Sequence, residues 1–280
     1  MLAGRTIVDA QVHLWKADSP DWPWVPGRKP QLPEPFTIEK LVPLMDEAGV
    51  DRAVIVPPSW PGDRNDYGLE AAKRYPNRFA VMGRIPMKPE SAALLPKWRE
   101  QPGMLGVRLT FMREQASMLT SGSANWFWPA AEKAALTVMV FPPGNVPMFA
   151  SIAERHPGLP LIIDHLSLTQ EIAAERKVKE AIDAVVALAK YPNVSVKVSS
   201  APTYSLDPSY PWPDMTEPIK RCFDAYGPRR TYWGTDLTNA FAKSTYRQRI
   251  THFTEELKFL SEEDKDWVMG KAILARLGWA

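Results

Sequence analysis

The sequence predicts an α/β protein folded as a single (β/α)8 TIM barrel, with one domain covering residues 1–280. Short runs rich in β-branched residues alternate along the chain with longer segments whose apolar residues recur at helical spacing, and there are eight such runs. With 280 residues, 45% of them hydrophobic, the chain is long enough to bury one large core. Alternation of this kind is typical of parallel strands that close into a barrel.

The individual elements follow from these patterns. The predicted strands are residues 6–13, 53–56, 79–84, 105–109, 138–141, 161–164, 194–197 and 231–233. The predicted helices are residues 38–48, 67–75, 90–100, 128–135, 147–155, 178–190, 215–226, 246–260 and 262–277. Gly49 ends the first helix, and the sequence Tyr-Pro-Asn ends a helix before a strand at 75–77 and again at 191–193.

Proline and tryptophan concentrate in the segments that follow the predicted strands. Proline is abundant, at 28 residues, and many of these prolines cluster in residues 20–35, 142–147 and 202–213. The loop tryptophans are Trp15, Trp22, Trp24, Trp60, Trp126, Trp128 and Trp212. We therefore expect stiff, Pro- and Trp-rich loops over the carboxyl ends of the strands, where they form a hydrophobic lid and an apolar wall for a ring-shaped substrate.

Composition narrows the range of functions. The net charge is only +2 and the sequence has no concentrated block of Lys and Arg, so it does not predict nucleic-acid binding. The chain has no apolar run long enough to span a membrane and no secretory signal pattern, so we expect no membrane partner and a cytoplasmic location. The single cysteine, Cys222, excludes a disulfide within the chain and is expected in the core. Phosphate-binding glycine loops and a serine-nucleophile motif are both missing.

Polar residues at the carboxyl ends of the predicted strands are the candidates for an active site, because that end of a barrel carries the chemistry. They are Gln11, His13, Arg84, Arg108, His165, Lys197 and Asp236. Gln11 and His13 are two residues apart on one strand and should point to the same side. We expect Asp236 opposite them across the barrel mouth, with His165 between, and Lys197 inward and paired. Asp236 could instead cap a helix, and the arginines could form structural ion pairs.

Seven phrases, in this order and over nearly the whole chain, carry a family resemblance. They are VDAQVHLW, AGVDRAVIVPPSW, YPNRFAVMGRIP, GVRLTF, LPLIIDHLS, YPNVSVKVSS and YGPRRTYWGTDLT. Together they resemble the amidohydrolase-2 family of the amidohydrolase superfamily. Within it the chain is similar to the lactonase-like branch of 2-pyrone-4,6-dicarboxylate lactonases and sugar-lactone hydrolases. The resemblance implies a barrel hydrolase that acts on a cyclic ester.

The chain departs from the family pattern at the residues that would hold a metal. The family's first strand usually reads His-x-His, but here the first position is Gln11, and an amide oxygen is a poor ligand for a transition metal. A histidine near the end of the fifth strand is also absent, where the chain has Val-Phe-Pro-Pro around Phe141. We therefore predict no cofactor. The alternative is one divalent metal, such as zinc, held by His13, His165 and Asp236.

The predicted function is metal-independent hydrolysis of a lactone or related cyclic ester. Asp236 would accept a proton from water, while His13 and His165 stabilise the developing oxyanion and Gln11 adds an amide donor. A guanidinium matches a carboxylate, so the substrate is expected to be acidic. The residues assigned to substrate binding are Gln11, Arg84, Arg108, Trp15, Tyr204 and Lys197.

Three points remain open from the sequence. Pyrone-dicarboxylate lactonases resemble this chain but use an arginine after the seventh strand, where residues 200–204 have none, which argues against the same dicarboxylate. A metal-dependent non-oxidative decarboxylase or hydratase is one alternative function, and a catalytically decayed barrel that binds a small acidic molecule is another. Exposed tryptophans also leave a homo-oligomer as an option.

Overall fold

A computed structural model describes residues 4–280 and has the fold class that the sequence predicts. Eight parallel strands follow one another around a barrel in chain order. They are β1 (Val8–Val12), β2 (Arg52–Ile55), β3 (Phe79–Gly83), β4 (Met104–Thr110), β5 (Thr137–Phe141), β6 (Leu161–Ile163), β7 (Val194–Lys197) and β8 (Thr231–Tyr232). The barrel closes where the Ala10 amide donates to the Trp233 carbonyl at 3.3 Å.

Helices occupy the connections. The α-helices are α1 (Ile38–Ala48), α2 (Asp66–Arg74), α3 (Ser117–Thr120), α4 (Phe127–Lys133), α5 (Met148–Arg155), α6 (Gln170–Ala174), α7 (Val178–Ala187), α8 (Ala201–Tyr204), α9 (Thr216–Tyr226), α10 (Tyr246–Thr251), α11 (Glu262–Asp266) and α12 (Ala272–Leu277). The 3₁₀ segments are Pro89–Glu100, Arg113–Ala116, Asp164–Ser167, Leu188–Lys190, Pro213–Met215, Pro228–Arg230 and Phe241–Lys243. In residues 4–280, no helix combines the length and apolar character needed to cross a membrane.

Three predicted α-helices are irregular, each at an identifiable residue or turn. The predicted helix 90–100 is a 3₁₀ segment, and Pro96 inside it has no amide hydrogen for an α-helical ladder. A π-helical turn, His252–Glu256, follows α10. Another, Trp267–Lys271, divides the final helix at Gly270, where a Cβ atom would lie 2.4 Å from the carbonyl oxygen of Thr6. This glycine lets the helix approach β1.

The barrel interior is layered along its axis. Apolar side chains fill the middle, and α12 covers the amino-terminal end of the strands with residues of the same cluster. Arg276 of α12 donates to the hydroxyls of Tyr232 (2.9 Å) and Ser195 (2.7 Å), which fastens this helix to the last two strands. The candidate site residues lie at the opposite, carboxyl end of the strands.

A register shift in β1 prepares the polar end. Asp9 pairs with Ala53, but Val12 pairs with Ile55, so β1 contains one more residue than β2 between these two pairs. Ala10 joins the apolar interior, and the next residue, Gln11, also reaches groups inside the barrel. Without the shift, strict alternation would turn one of these two side chains outward.

Of the tryptophans predicted in loops, Trp15 and Trp60 pack together with Phe36, whereas Trp128 lies on α4. The rings of Trp15 and Trp60 meet edge to face at 5.0 Å, and Phe36 packs on Trp15 at 5.9 Å. Five of the seven loop tryptophans are buried, and Trp24 and Trp126 are partly buried. Cys222 is buried on α9, as the sequence predicts.

Candidate active site

Four of the predicted site residues come together at the barrel mouth. His13 Nε2 lies 3.0 Å from Asp236 Oδ1, Gln11 Nε2 lies 2.8 Å from His165 Nε2, and His165 Nε2 lies 3.8 Å from Asp236 Oδ2. All four side chains are buried. The prediction that Asp236 faces Gln11 across the mouth was wrong. Barrel closure makes β8 the neighbour of β1, and the Asp236 amide donates to the Gln11 carbonyl at 2.9 Å.

The two carboxylate oxygens of Asp236 have different surroundings. Oδ2 accepts hydrogen bonds from Ser200 Oγ at 3.1 Å and from Asn239 Nδ2. Oδ1 is buried and lies 3.0 Å from His13 Nε2, and no other donor among residues 4–280 hydrogen-bonds to it. Burial alone would raise the pKa of Asp236, but interactions with the imidazoles of His165 and His13 outweigh it and hold the pKa well below its usual range. Oδ1 therefore faces the site with His13 Nε2 as its nearest polar neighbour.

The ring of His13 is fixed by the neighbouring strand end. Its Nδ1 donates to the carbonyl oxygen of Val56 at 2.6 Å, directly after β2. This bond turns Nε2 toward Asp236, because the two ring nitrogens point in opposite directions. The Trp60 ring lies 6.5 Å from the imidazole and forms part of the wall beside it.

A charged layer lies next to these residues inside the barrel. Lys197 Nζ lies 2.8 Å from Asp164 Oδ1 and donates to Gln11 Oε1 at 2.8 Å. Arg108 Nε reaches the second oxygen of Asp164 at 3.3 Å. Lys197 thus faces inward and is paired, with its pKa lowered chiefly by burial. Two cations against one carboxylate leave this layer with an excess of positive charge.

The remaining predicted substrate-binding residues are placed differently. Arg84 pairs with Asp63 (Nε to Oδ1, 3.2 Å), and burial, aided by the charge of Arg108, lowers its pKa to about 10. Tyr204 is buried, and burial followed by the charge of Asp236 raises the pKa of its phenol. Trp15 has no exposed surface, so the structure does not place it at the opening.

The backbone at the site is unusual at three strand ends. His165, Ser200 and Asp236 have positive φ angles of 55°, 65° and 50°, and they follow β6, β7 and β8. A residue with a Cβ atom held in this region costs about 1–3 kcal/mol, and such residues concentrate at functional sites. The surrounding contacts therefore hold these side chains in place against local strain.

Several residues that support the site were not singled out from the sequence. Asp9 is fully buried and accepts from the Thr235 amide at 2.8 Å, the Gln11 amide at 3.0 Å and the Tyr246 hydroxyl at 2.7 Å. Burial raises its pKa. The signal was an aspartate inside an apolar strand, which must find partners when buried. Asp164, in the phrase LIIDH, carried the same signal.

Arg249 on α10 holds the loop that carries Asp236. Its guanidinium donates to four oxygen atoms of this loop at 2.9–3.0 Å: those of the Thr235, Asn239 and Ala240 carbonyls and the Ser244 hydroxyl. We expect Arg249→Met to leave these acceptors unpaired and to lower the free energy of unfolding by about 3 kcal/mol. Urea unfolding measures this change.

Arg247, two residues away on the opposite side of the helix and exposed, provides the matched control. Arg247→Met should change the free energy of unfolding by less than about 0.5 kcal/mol. Equal losses of unfolding free energy in the two variants would mean that the contacts between Arg249 and the loop do not stabilise the protein.

Gln11 occupies the space and the hydrogen-bonding atoms that a metal at this site would use. The Nε2 lone pair of His165 faces the amide nitrogen of Gln11, and the amide oxygen of Gln11 accepts from the ammonium of Lys197. Within residues 4–280, no three His, Cys, Asp or Glu side chains are arranged to hold a metal ion. The alternative set of His13, His165 and Asp236 would therefore need Gln11 to move before a metal could bind.

A (β/α)8 barrel with a buried carboxylate and two imidazoles at its carboxyl end has the architecture of a barrel hydrolase. The chain belongs to the amidohydrolase family, whose model matches residues 8–277. This confirms the family resemblance found in the sequence.

Known proteins are similar to the chain over most of its length. An L-fucono-1,5-lactonase from Burkholderia ambifaria is 28% identical over 242 residues, which cover 82% of this chain and 79% of that protein. An amidohydrolase from Burkholderia multivorans with bound zinc has a TM-score of 0.80 at 19% identity and covers 98% of this chain and 99% of its own. A probable 2-pyrone-4,6-dicarboxylic acid hydrolase from Acinetobacter baumannii with bound citric acid has a TM-score of 0.77 at 18% identity, covering 98% and 100%.

A groove elsewhere on the molecule holds none of the predicted site residues. It has a volume of about 580 Å³ and lies between α1 and residues 237–248. The buried polar groups at the barrel mouth therefore define the candidate site better than cavity size does.

Proposed function

We propose that the protein hydrolyses a lactone without a metal, with Asp236 as the general base. The observation that carries this proposal is the buried Oδ1 oxygen of Asp236, which among residues 4–280 only His13 Nε2 approaches, at 3.0 Å, while the pKa of this carboxyl is held below its usual range. A base needs a free lone pair within reach of a water molecule, and Oδ2 is already occupied by Ser200 and Asn239. The similarity to an L-fucono-1,5-lactonase supports a cyclic ester as the substrate.

In the proposed reaction, Asp236 Oδ1 accepts a proton from water as the water oxygen bonds to the lactone carbonyl carbon. His13, held through its Nδ1–H by the Val56 carbonyl, lies beside the base and is placed to stabilise the resulting oxyanion through Nε2. The ring C–O bond then breaks, and Asp236 returns its proton to the leaving alkoxide. The product is a hydroxy acid, and the carboxylate of Asp236 is regenerated.

We further propose that the substrate carries a carboxylate. The Arg108, Lys197 and Asp164 layer has excess positive charge, and Arg108 is the member of it that reaches the opening, with 9% of its surface exposed. Arg84, on the neighbouring strand end, is close enough for the charge of Arg108 to influence its pKa. A guanidinium presents paired donors that match a carboxylate.

The test is an assay for acid release from a panel of lactones, using protein prepared with and without a chelator. We expect turnover that survives chelation and is not raised by zinc or manganese. We also expect kcat/KM at least about tenfold higher for a carboxylate-bearing lactone than for neutral L-fucono-1,5-lactone, the gain from one additional charged hydrogen-bond pair.

Each part of the proposal has its own contrary result. Activity lost on chelation and restored by zinc would replace Asp236-activated water with metal chemistry. Faster hydrolysis of the neutral lactone would disprove the acidic preference and leave the lactonase proposal standing. Binding of hydroxy acids without turnover of any lactone would indicate a binding protein.

A further inference from the structure

A directed chain of hydrogen bonds runs through the charged layer into the site. The ammonium of Lys197 can only donate, so the atom of Gln11 that lies 2.8 Å away must be the amide oxygen. The amide nitrogen of Gln11 is thereby turned toward His165 Nε2, also at 2.8 Å. An amide nitrogen can only donate as well, which makes His165 Nε2 an acceptor. The ring proton of His165 then lies on Nδ1, 2.7 Å from Ser199 Oγ.

We propose that Lys197 is a positioning residue that acts through Gln11 and fixes His165 as the neutral imidazole with its proton on Nδ1. Lys197 does not touch the reacting atoms in this proposal. Its part is to set the direction of one amide and, through that amide, the tautomer of one histidine.

The surroundings hold each member of the chain in place. Lys197, Gln11 and Asp164 have no exposed surface, so water does not compete for their hydrogen bonds. The carboxylate of Asp164 also anchors Lys197, at 2.8 Å.

This tautomer changes the part that His165 plays in the chemistry. The sequence-based hypothesis has His165 donating to an oxyanion, but an Nε2 atom that accepts from Gln11 has no proton to give. His165 instead presents no proton to Asp236, whose Oδ2 lies 3.8 Å from Nε2, and so leaves that carboxylate free as a base. The effect of this tautomer on catalysis rests on the proposed lactone hydrolysis. The tautomer itself does not depend on that proposal.

The experiment is NMR of protein labelled with ¹⁵N in its histidines, because ring nitrogens with and without a proton have well-separated signals. In the wild-type protein we expect His165 to show a protonated Nδ1 and an unprotonated Nε2. In Lys197→Met the amide of Gln11 is free to rotate, and His165 should populate both tautomers. Arg108→Gln is the matched control, because Arg108 also binds Asp164 but does not contact Gln11. It should retain the wild-type tautomer.

A second variant keeps the test decisive if Lys197→Met does not fold. Gln11→Glu keeps a partner for Lys197 but offers His165 only acceptor oxygens, so the His165 proton should move to Nε2. A wild-type ring protonated on Nε2, or a Gln11→Glu ring that keeps its proton on Nδ1, would overturn the proposal.

Turnover gives an independent readout. We expect Lys197→Met to lower kcat for lactone hydrolysis by roughly 10- to 100-fold, the usual effect of removing an outer hydrogen-bond partner, with little change in KM. An unchanged kcat beside a changed tautomer would overturn the catalytic consequence of the proposal. If no lactone is hydrolysed at all, the proposed function fails, and the NMR result still decides the tautomer.

Discussion

Replacing Asp236 by asparagine is expected to lower kcat for lactone hydrolysis by about three orders of magnitude, the range that a well-placed general base contributes. Asparagine keeps the shape of the side chain and can still accept from Ser200 through its amide oxygen. It replaces the carboxylate with an amide, and neither the amide nitrogen nor the amide oxygen is basic enough to take a proton from water. Steady-state kinetics on the best lactone of the panel measures the loss.

Binding should survive this change, because Asp236 is assigned to the chemistry and not to substrate recognition. Calorimetric affinity for the hydroxy acid product is expected to stay within about tenfold of the wild-type value, apart from any charge repulsion that the asparagine relieves. Asp183→Asn is the matched control, since Asp183 is an exposed carboxylate on α7 paired with Lys179 and Arg221. A kcat for Asp236→Asn equal to that of this control would remove Asp236 from the role of base.

The sequence could predict the fold because the relevant signals are local. Each β-branched run and each helical pattern is readable over a few residues, and eight repeats of one unit leave little choice of architecture. His13, His165 and Asp236 were also within reach, since their positions at strand ends depend only on where the strands stop. Their convergence then follows from barrel closure.

What the sequence could not predict depends on partners that are distant along the chain. The Gln11 amide is oriented by Lys197, which lies 186 residues away along the chain. The proposed tautomer of His165 follows from that contact. The position of Asp236 next to β1 depends on how the barrel closes, as does its attachment through Asp9. The extra residue in β1 also has no local sequence mark.

The protein is also expected to lose stability in acid well above the range in which carboxylates titrate. His165 and His252 are buried, and burial lowers the pKa of each to about 4, whereas an unfolded histidine titrates near 6.5. As the pH falls from about 6.5 to 4, the two histidines bind protons in the unfolded chain but not in the folded protein. Each histidine should therefore cost about 3 kcal/mol of unfolding free energy by pH 4.

The carboxylate of Asp236 acts in a lower pH window. Its folded pKa lies below the unfolded one, so its contribution is complete above about pH 4 and is lost only below that value. Loss of stability between about pH 6.5 and 5, above the range in which carboxylates titrate, can therefore be assigned to the histidines. Urea unfolding at a series of pH values measures how steeply the free energy of unfolding falls with pH.

His252 allows this assignment to be tested without touching the site. Its ring packs edge to face on Trp212 at 5.2 Å, and its Nε2 has no hydrogen-bond partner among residues 4–280, so His252→Phe removes a titrating group and keeps an aromatic contact. The variant should lose about 3 kcal/mol less than the wild type between pH 7 and 4. Phe253→Leu, at the adjacent buried position, should lower stability equally at every pH and leave the slope unchanged. If His252→Phe keeps the wild-type slope, the acid sensitivity does not come from this buried imidazole.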